Sequence, residues 1–337
     1  MASGEFDLIE AIRERLPTAG EGLRVGSGDD AAVVEDRGAA SAITVDAMIE
    51  GVHFTLPAFS PGAVGRKAMA MALSDLAAMG AAAGEVYVTV GASAQTSDEH
   101  LLALADGIAE AAARDGVAVA GGDLVSSPVL VLSLTAIGYE AEGTPLVTRR
   151  GASPGDVIAV TGELGGAAAA LALLGDGPGE PESGSELPPE IRESLLARQL
   201  DPRPRLGAGR AIAAAGATAM IDVSDGLGAD ASHIARASGC RLDIELDRLP
   251  VAAGVAEIAG GEREALELAS GGGEDFELLA TLPAERLEEA RKAVSSAGSG
   301  LTEIGYVSEG EGVGLRLPDG GELEPAGFDH RRESSSG

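Results

Sequence analysis

The chain has 337 residues, and its 24 basic and 54 acidic side chains give a formal charge of −30. So acidic a surface repels phosphate backbones, which argues against nucleic-acid binding, and no apolar run reaches the roughly 20 residues that cross a bilayer. Cys240 is the only cysteine, which excludes an intrachain disulfide and a cysteine metal cluster. The first residues lack the basic region and apolar core of a signal peptide, so we expect a cytoplasmic protein with no membrane partner.

The length predicts two domains, because a chain of this size exceeds a typical single core. The turn-rich segment 148–156 marks the boundary. We predict an N-terminal domain over residues 1–150, a C-terminal domain over 151–330 and a disordered tail over 331–337. Only 2% of the residues are aromatic, so alanine and glycine must do much of the packing between closely approaching helices and sheets.

Hydrophobic periodicity predicts helices and strands along most of the chain. In the first domain the predicted helices cover 4–16, 61–79 and 97–114, and the predicted strands cover 31–35, 42–47, 86–90, 117–120 and 129–138. In the second domain the predicted helices cover 167–174, 190–200, 206–215, 227–238 and 284–297, with strands at 157–160, 217–221, 241–246, 276–282, 301–307 and 313–317. The low-complexity segment 175–189 is predicted to be a flexible surface loop.

Short acidic motifs recur at the ends of the predicted apolar segments. They are Gly28-Asp29-Asp30, Thr44-Val45-Asp46, Ser74-Asp75, Gly121-Gly122-Asp123, Asp222-Val223-Ser224-Asp225-Gly226 and Gly271-Gly272-Gly273-Glu274-Asp275. A single Gly-Asp pair is most often a solvated turn. Neighbouring carboxylates repel one another unless they are hydrated or share a cation, so the repetition predicts several sites for a hard cation.

Asp75 is the most informative of these acids because it lies inside a helix that is apolar on nearly every face. A buried charge needs a partner or a metal. An ion pair with Arg66 or Lys67 is the structural alternative, but those residues are eight or nine positions away, which is far along a helix. We therefore favour a functional role for Asp75. Separately, Thr44 and Asp46 project to one side of their strand.

Other motifs leave two interpretations open. His53 lies in a short turn and, taken alone, is more often a packing or surface residue than a functional one. Ser224 or Asp225 can cap the helix that follows, although capping does not explain Asp222. The turn 161–166 joins a strand to a helix and can hold an anion, but tight helix packing is the favoured interpretation, since no Walker sequence follows.

Taken in order, and together with Gly327-Phe328-Asp329-His330, these motifs closely resemble thiamine-monophosphate kinase over nearly the whole chain. The resemblance implies a two-domain α/β (α+β) fold of the aminoimidazole-ribotide synthetase type. It has an N-terminal mixed sheet with helices and a C-terminal α/β domain, and it forms a homodimer through the N-terminal sheet. The implied reaction transfers the γ-phosphoryl group of ATP to thiamine monophosphate.

The resemblance also assigns roles to individual residues. The implied metal ligands are Asp29, Asp30, Thr44, Val45 (through its carbonyl oxygen), Asp46, Asp75, Asp123, Asp222 and Asp225. The implied ATP contacts are Gly122, Asp123, Arg149 and Ser224, and the implied contacts with thiamine phosphate are His53, Glu274 and Phe328. Phe328 is chosen because Glu324-Pro325-Ala326 and Arg331 stand where many relatives carry aromatic residues.

The chemistry of the acids agrees with that reaction. Mg²⁺ is usually held by one or two carboxylates plus substrate phosphates, so several Mg²⁺ ions let an acid-rich site bind two anionic substrates. Phosphoryl transfer depends mostly on positioning and charge neutralisation. Since the substrate phosphate is already an ionised nucleophile, we predict direct in-line transfer without a covalent catalytic residue or a strong general base.

Two alternatives remain. One is another ATP enzyme of the same superfamily, although Cys240 stands in neither of the cysteine positions that the selenophosphate and hydrogenase-maturation enzymes use. The other is a non-enzymatic acidic metal-binding protein, which would need the carboxylates but not Arg149, His53 and the ordered glycine turns.

Overall fold

The computed structural model describes residues 5–17, 22–25, 32–35, 37–56, 58–175 and 187–328. The chain forms two compact units, which we call unit 1 (Met1–Leu146 with Leu200–Leu206) and unit 2 (Val147–Gln199 with Gly207–Gly337). The segment Leu200–Leu206 belongs with unit 1 because Asp201 forms ion pairs with Arg114 at 2.8 Å and Arg66 at 3.5 Å. In the described part of the chain, no helix is both long and apolar enough to span a membrane.

Unit 1 is a four-stranded sheet with helices packed on one face. Its helices are α1 (Glu5–Arg13), α2 (Pro61–Ala78) and α3 (Asp98–Asp115), and its strands are β1 (Leu23–Val25), β2 (Val33–Val34), β3 (Ser41–Ile49), β4 (Ala82–Ala92), β5 (Ala118–Ser126) and β6 (Val131–Tyr139). The sheet order is β3-β6-β4-β5, with β4 and β5 parallel and the other pairs antiparallel. Strands β1 and β2 form a separate small sheet.

The helices of unit 1 begin where the sequence provides caps. Ser60 caps α2, with Pro61 at its first position, and the predicted cap Ser97 accepts a hydrogen bond from the His100 N–H at 3.3 Å. Helices α2 and α3 approach closely, because a Cβ at Gly107 would collide with the backbone of Gly62. Glycine therefore sets the packing distance between these two helices.

The prediction that a short strand ends at Gly121-Gly122-Asp123 is wrong. Strand β5 continues through this motif to Ser126, paired with β4 as far as Ala92. Pairing with β4 continues across both glycines. The backbone of β4 is so close to Gly122 that a Cβ there would collide with the carbonyl oxygen of Val88, which explains why glycine occupies this position. The motif thus lies within a sheet edge, and Asp123 is presented by a strand.

Unit 2 is a seven-stranded sheet with helices. Its helices are α4 (Gly166–Leu174), α5 (Pro189–Leu200), α6 (Leu206–Ala214), α7 (Leu227–Ser238), α8 (Val255–Ala259), α9 (Glu262–Gly271) and α10 (Leu287–Ser296). Its strands are β7 (Asp156–Thr161), β8 (Ala219–Val223), β9 (Arg241–Glu245), β10 (Glu277–Pro283), β11 (Leu301–Ser308), β12 (Gly312–Arg316) and β13 (Glu322–Leu323). The sheet order is β13-β12-β9-β11-β7-β10-β8.

Most predicted boundaries in unit 2 hold within two or three residues, and three differences matter. Strand β8 ends at Val223 rather than residue 221, so Asp222 belongs to a buried strand. The predicted helix 284–297 begins as a short 3-10 turn, Ala284–Arg286, before α10. The predicted loop 175–189 and the tail 331–337 fall largely or wholly on residues 176–186 and 329–337, outside the described residues.

Candidate active site

The structure brings three of the predicted metal ligands together in unit 1. Thr44 and Asp46 are on the face of β3 that packs on α2, and the Thr44 hydroxyl donates a hydrogen bond to Asp75 of α2. Burial, and then repulsion from Asp75, raises the pKa of Asp46 to about 6. Two carboxylates and a hydroxyl therefore form a partly buried set of oxygen donors, which is the ligand chemistry that Mg²⁺ prefers.

The ion-pair alternative for Asp75 is wrong. Arg66 instead pairs with Glu110 at 2.8 Å and with Asp201 at 3.5 Å. The ammonium group of Lys67 donates to the His53 carbonyl oxygen at 3.4 Å. Among the described residues, no Lys, Arg or His forms an ion pair with Asp75 or with its neighbour Asp46.

His53 is fixed by the turn that follows β3. Its Nδ1 accepts a hydrogen bond from the Ile49 N–H at 3.1 Å, which makes Nε2 the nitrogen that carries the proton in the neutral ring. Its carbonyl accepts from Lys67, which is fully buried and stacks on the ring of Phe59 at 5.0 Å. Sequence reasoning missed this role of Lys67, although a lysine inside an apolar helix is itself a signal.

Asp123 lies on the other face of the same sheet. Asp46 is in one row of paired residues with Leu134, Val88 and Gly122, while Asp123 is in the adjacent row with Thr89 and Ser133. Adjacent rows face opposite sides of a sheet, and β3 and β5 are separated by three strand spacings, about 14 Å. Within one chain, Asp123 and Asp46 therefore do not share a metal ion.

Gly122 and Asp123 also line a cavity of about 130 Å³. Its walls are mostly apolar and come from α1, α3, β4 and β5, with Leu16, Leu104 and Val88 among them. The predicted ATP contact at Gly122 is therefore beside a recess with apolar walls.

The face of the sheet that carries Asp123 is uncovered in unit 1. On β3, Ile43 and Val45 are 63% and 65% exposed, and Ile49 is 36% exposed. Val125 of β5 is also exposed. Strand β3 is nine residues long and lies at the edge of its sheet, and a long apolar edge strand is a ready template for pairing with another chain.

In unit 2 the predicted ligand Asp222 is buried near the end of β8, and Ser224 and Asp225 follow in the turn between β8 and α7. The alternative that Ser224 or Asp225 caps α7 is wrong, because the cap residue is Gly226 and no side chain accepts a capping hydrogen bond there. The carboxylate of Asp230, one turn into the helix, instead accepts the N–H groups of the turn.

Sequence reasoning missed Asp230. Burial and repulsion from Asp225 raise its pKa to about 7, although the three N–H donors pull the pKa down. An acidic residue in the first turn of a helix was the available signal. Asp225, Asp230 and His233 are also, among the described residues, the one group of three His, Cys, Asp or Glu side chains with ligand atoms within 4.8 Å of one another.

Two of the predicted substrate contacts meet the same turn. The Glu274 N–H donates to the Ser224 carbonyl at 2.7 Å, and the Phe328 N–H donates to the Asp225 carbonyl at 2.9 Å. Glu274 has a φ of 68°, which a non-glycine residue rarely adopts. Its carboxylate accepts from Nε2 of the buried Gln199 at 2.8 Å, so both its backbone and its side chain are fixed.

The glycine turn 161–166 has a packing role, as favoured above. The Asp275 carboxylate accepts from the N–H groups of Gly165 at 2.7 Å and Ala167 at 3.1 Å, so the N-terminus of α4 is filled by the chain's own acid. Burial raises the pKa of Asp275 to about 7 against the opposing effect of these donors.

The remaining predicted residues stand apart from these groups. Arg149 is exposed, and no carboxylate in the described part of the chain forms an ion pair with it; its carbonyl accepts from Ser238 Oγ at 3.2 Å. Asp29 and Asp30 fall in 26–31, outside the described residues.

Comparison with known proteins identifies the class. The N-terminal domain of the AIR synthase related proteins matches residues 28–139, and the C-terminal domain of these proteins matches residues 153–318. The two-domain α/β fold is that of an AIR synthase related protein, as predicted.

More similar relatives narrow the class to one family. The thiamine-monophosphate kinase of Mycobacterium tuberculosis (strain ATCC 25618 / H37Rv) is 44% identical over 242 residues, 72% of this chain and 68% of the relative. The crystal structure of thiamine-monophosphate kinase from Stenotrophomonas maltophilia K279a is 34% identical, with a TM-score of 0.82 over 96% of this chain and 99% of that one. A structure described as AaThiL complexed with AMPPCP and TMP is 32% identical, with a TM-score of 0.76 and 97% coverage of both chains. The chain belongs to the thiamine-monophosphate kinase family, which confirms the resemblance inferred from the motifs.

Proposed function

We propose that this chain is an ATP-dependent kinase that transfers the γ-phosphoryl group of ATP to thiamine monophosphate, giving thiamine diphosphate and ADP. The observation that carries the proposal is the pair Asp46 and Asp75, two neighbouring carboxylates that no cationic side chain of the described residues neutralises. A relative that matches 97% of the chain is described in complex with AMPPCP and TMP. An ATP-consuming reaction also fits the cytoplasmic location that the sequence predicts.

The donor set fits Mg²⁺, since it consists of carboxylate and hydroxyl oxygens without sulfur. Asp46, Asp75 and Thr44 would hold Mg²⁺ in unit 1, with the Val45 carbonyl, and Asp222 and Asp225 would do so in unit 2. Asp29, Asp30 and Asp123 complete the proposed ligands. Bound Mg²⁺ would neutralise the negative charge on the phosphate oxygens, which two anionic substrates at an acidic site require.

The other residues would bind and orient the substrates. Gly122, Arg149 and Ser224 would contact ATP, with the exposed guanidinium of Arg149 placed to offset phosphate charge. His53, through its Nε2–H, and Glu274 would contact thiamine phosphate, and Phe328, 56% exposed, would pack against its rings. No residue needs to act as a strong base, because the attacking phosphate oxygen is already ionised.

The activity is tested by measuring ADP formed from ATP and Mg²⁺ with thiamine monophosphate, with free thiamine and with neither, alongside Asp46→Asn. We expect turnover only with the monophosphate, thiamine diphosphate as the product by mass spectrometry, and loss of turnover in the variant. Turnover that ignores thiamine monophosphate would favour another ATP enzyme of the superfamily. Binding of Mg²⁺ without any ATP turnover would favour the metal-binding alternative. Radiolabelled phosphate trapped on the protein would contradict direct transfer.

The working form would be a homodimer that pairs the uncovered faces of unit 1. The exposed apolar residues of β3 support this assembly, because a long apolar edge strand is a template for pairing with another chain.

A further inference from the structure

Asp230 is buried beneath the turn that carries two of the proposed site residues, Ser224 and Asp225. It lies in α7 and is only 2% exposed. Its Oδ2 accepts hydrogen bonds from three consecutive backbone N–H groups, those of Ser224 at 3.0 Å, Asp225 at 3.1 Å and Gly226 at 3.1 Å. These donors precede the helix, so Asp230 supplies the acceptor that α7 itself does not give them.

We propose that Asp230 is a positioning residue for phosphoryl transfer, whose carboxylate fixes the main chain at 224–226 and thereby the directions of Ser224 and Asp225. The inference rests on the proposed function, in which those two residues contact ATP and metal. Asp230 itself touches neither substrate in this assignment. Asp230 would hold the turn in its working geometry before the substrates bind, because a small displacement of the groups that contact them strongly lowers the rate of transfer.

The carbonyl side of the turn is fixed as well. The Ser224 and Asp225 carbonyls accept the N–H groups of Glu274 and Phe328, and Gly273 is packed against the Ser224 carbonyl too closely for a side chain. With Asp230 on the N–H groups, both sets of backbone polar groups are held from opposite sides. Loss of Asp230 would release one side only, so the turn would shift rather than unfold.

Because Asp230 occupies the three N–H groups of the turn, substrate phosphate does not bind to them. Consecutive N–H groups that point to one spot form a nest that attracts anions. Here the nest is filled by the chain's own carboxylate. Phosphate contacts at this turn are therefore left to the Ser224 hydroxyl and to cations held by Asp222 and Asp225, which is consistent with an acidic rather than a glycine-rich phosphate site.

Three variants separate positioning from charge. Asp230→Asn keeps an oxygen of similar shape for the three N–H groups and removes the charge. Asp230→Glu keeps the charge and moves the oxygens by one methylene group. Asp230→Ala removes both. The measurements are hydrogen–deuterium exchange of the peptide that covers 222–228, and kcat and KM for ATP at saturating thiamine monophosphate.

If Asp230 positions the turn, Asp230→Ala and Asp230→Glu should lower kcat/KM for ATP by about tenfold or more. Their turn amides should exchange faster, while Asp230→Asn should stay within about threefold of the wild type in both measurements. Should Asp230→Ala fail to fold, the pair Asp230→Asn and Asp230→Glu gives the same comparison.

Asp243 provides a matched control. It is also a buried carboxylate of unit 2, but it accepts from Arg241 at 2.9 Å and from Ser308, not from the turn. Asp243→Asn and Asp243→Ala should lower the melting temperature and leave kcat/KM and exchange at 222–228 unchanged.

Two results would overturn the inference. The first is wild-type kinetics and exchange in Asp230→Ala. The second is a loss in Asp230→Asn as large as in Asp230→Ala, with a higher Mg²⁺ requirement, which would make Asp230 a metal ligand with Asp225 and His233. Failure of the proposed function is distinct, since the wild type would then show no thiamine phosphate-dependent turnover while the exchange results still decide whether Asp230 holds the turn.

Discussion

The acidic residues of the two units are held in different ways. In unit 1, Asp46 and Asp75 repel one another, their sheet has an uncovered apolar face, and no cationic side chain of the described residues pairs with either acid. In unit 2, the turn that carries Ser224 and Asp225 is held through its backbone by the chain itself. Under the proposed function, unit 1 would therefore depend on a bound cation and a second copy of the chain, whereas the turn in unit 2 is held by the chain's own buried side chains.

Asp75→Asn should cause the largest loss of activity, because it removes one of the two carboxylates of the Asp46 and Asp75 pair and leaves an oxygen to accept from the Thr44 hydroxyl. We expect kcat to fall by about 10³-fold, the scale associated with losing a charge interaction that stabilises a transferring phosphoryl group. Initial rates of ADP formation over a range of Mg²⁺ concentrations measure the effect. Asp106→Asn is the control, since Asp106 is an exposed acid of unit 1 paired with Arg15 at 3.0 Å. Near-normal turnover in Asp75→Asn would contradict the proposed metal site.

Ile43→Asp should separate the proposed dimer. Ile43 is 63% exposed on the uncovered face of unit 1, and a two-fold interface would place the new charge there twice. Burying these unpaired charges is costly, so we expect a monomer by sedimentation and a loss of activity of about tenfold or more. Tyr306→Asp, the same kind of change at a residue of unit 2 that is 44% exposed, should leave the assembly intact. A dimeric, active Ile43→Asp protein would rule out this face as the interface.

The sequence was a good guide to the elements and to the positions of the acids along the chain. Ser97 caps α3, α7 covers the predicted residues, and the ordered motifs identified the family. These features depend on local periodicity, on capping residues and on glycine spacing, all of which are visible in a short stretch of chain.

The facing of the site residues could not be predicted in the same way. Asp123 and Asp46 lie on opposite faces of the sheet because of the register between β4 and β5, which shifts between Val86 and Tyr87. A shift of one residue reverses a side chain's face, and no local pattern reveals it. Asp230 was missed for a similar reason, since its three donors come from the turn before the helix and become its partners only once the chain has folded.

The pH dependence of stability should reflect the buried acids of both units whose pKa values are raised. The pKa of Asp46 is raised to about 6, and those of Asp230 and Asp275 to about 7, from 3.8. Between these limits the folded state binds more protons than the unfolded state, so the free energy of unfolding falls as pH rises. The metal-free protein should therefore melt a few degrees higher near pH 5 than near pH 8.

Adding Mg²⁺ to the same experiment tests the acids of unit 1. Near pH 8, Mg²⁺ should raise the melting temperature of the wild type, measured by differential scanning fluorimetry against EDTA. It should do so less in Asp46→Asn, which has lost a proposed ligand. A melting temperature that rises from the lower to the higher pH without metal would contradict the assigned pKa shifts.

Gln199→Leu should give the smallest effect, and it is confined to unit 2. Gln199 is fully buried, and its Nε2 donates to the Glu274 carboxylate at 2.8 Å and to the Ala167 carbonyl at 3.1 Å. Leucine keeps most of the volume and removes the donor, so we expect KM for thiamine monophosphate to rise by about fivefold, which corresponds to the net contribution of about 1 kcal/mol from a typical hydrogen bond. The KM for ATP should change little, because the turn that carries Ser224 keeps its bonds to Asp230. Gln199→Glu should raise KM further, since it places a second carboxylate against Glu274. An equal rise in both KM values would mean that Gln199 supports the whole turn. It would contradict the assignment of Gln199 to Glu274 alone and of Asp230 to the turn.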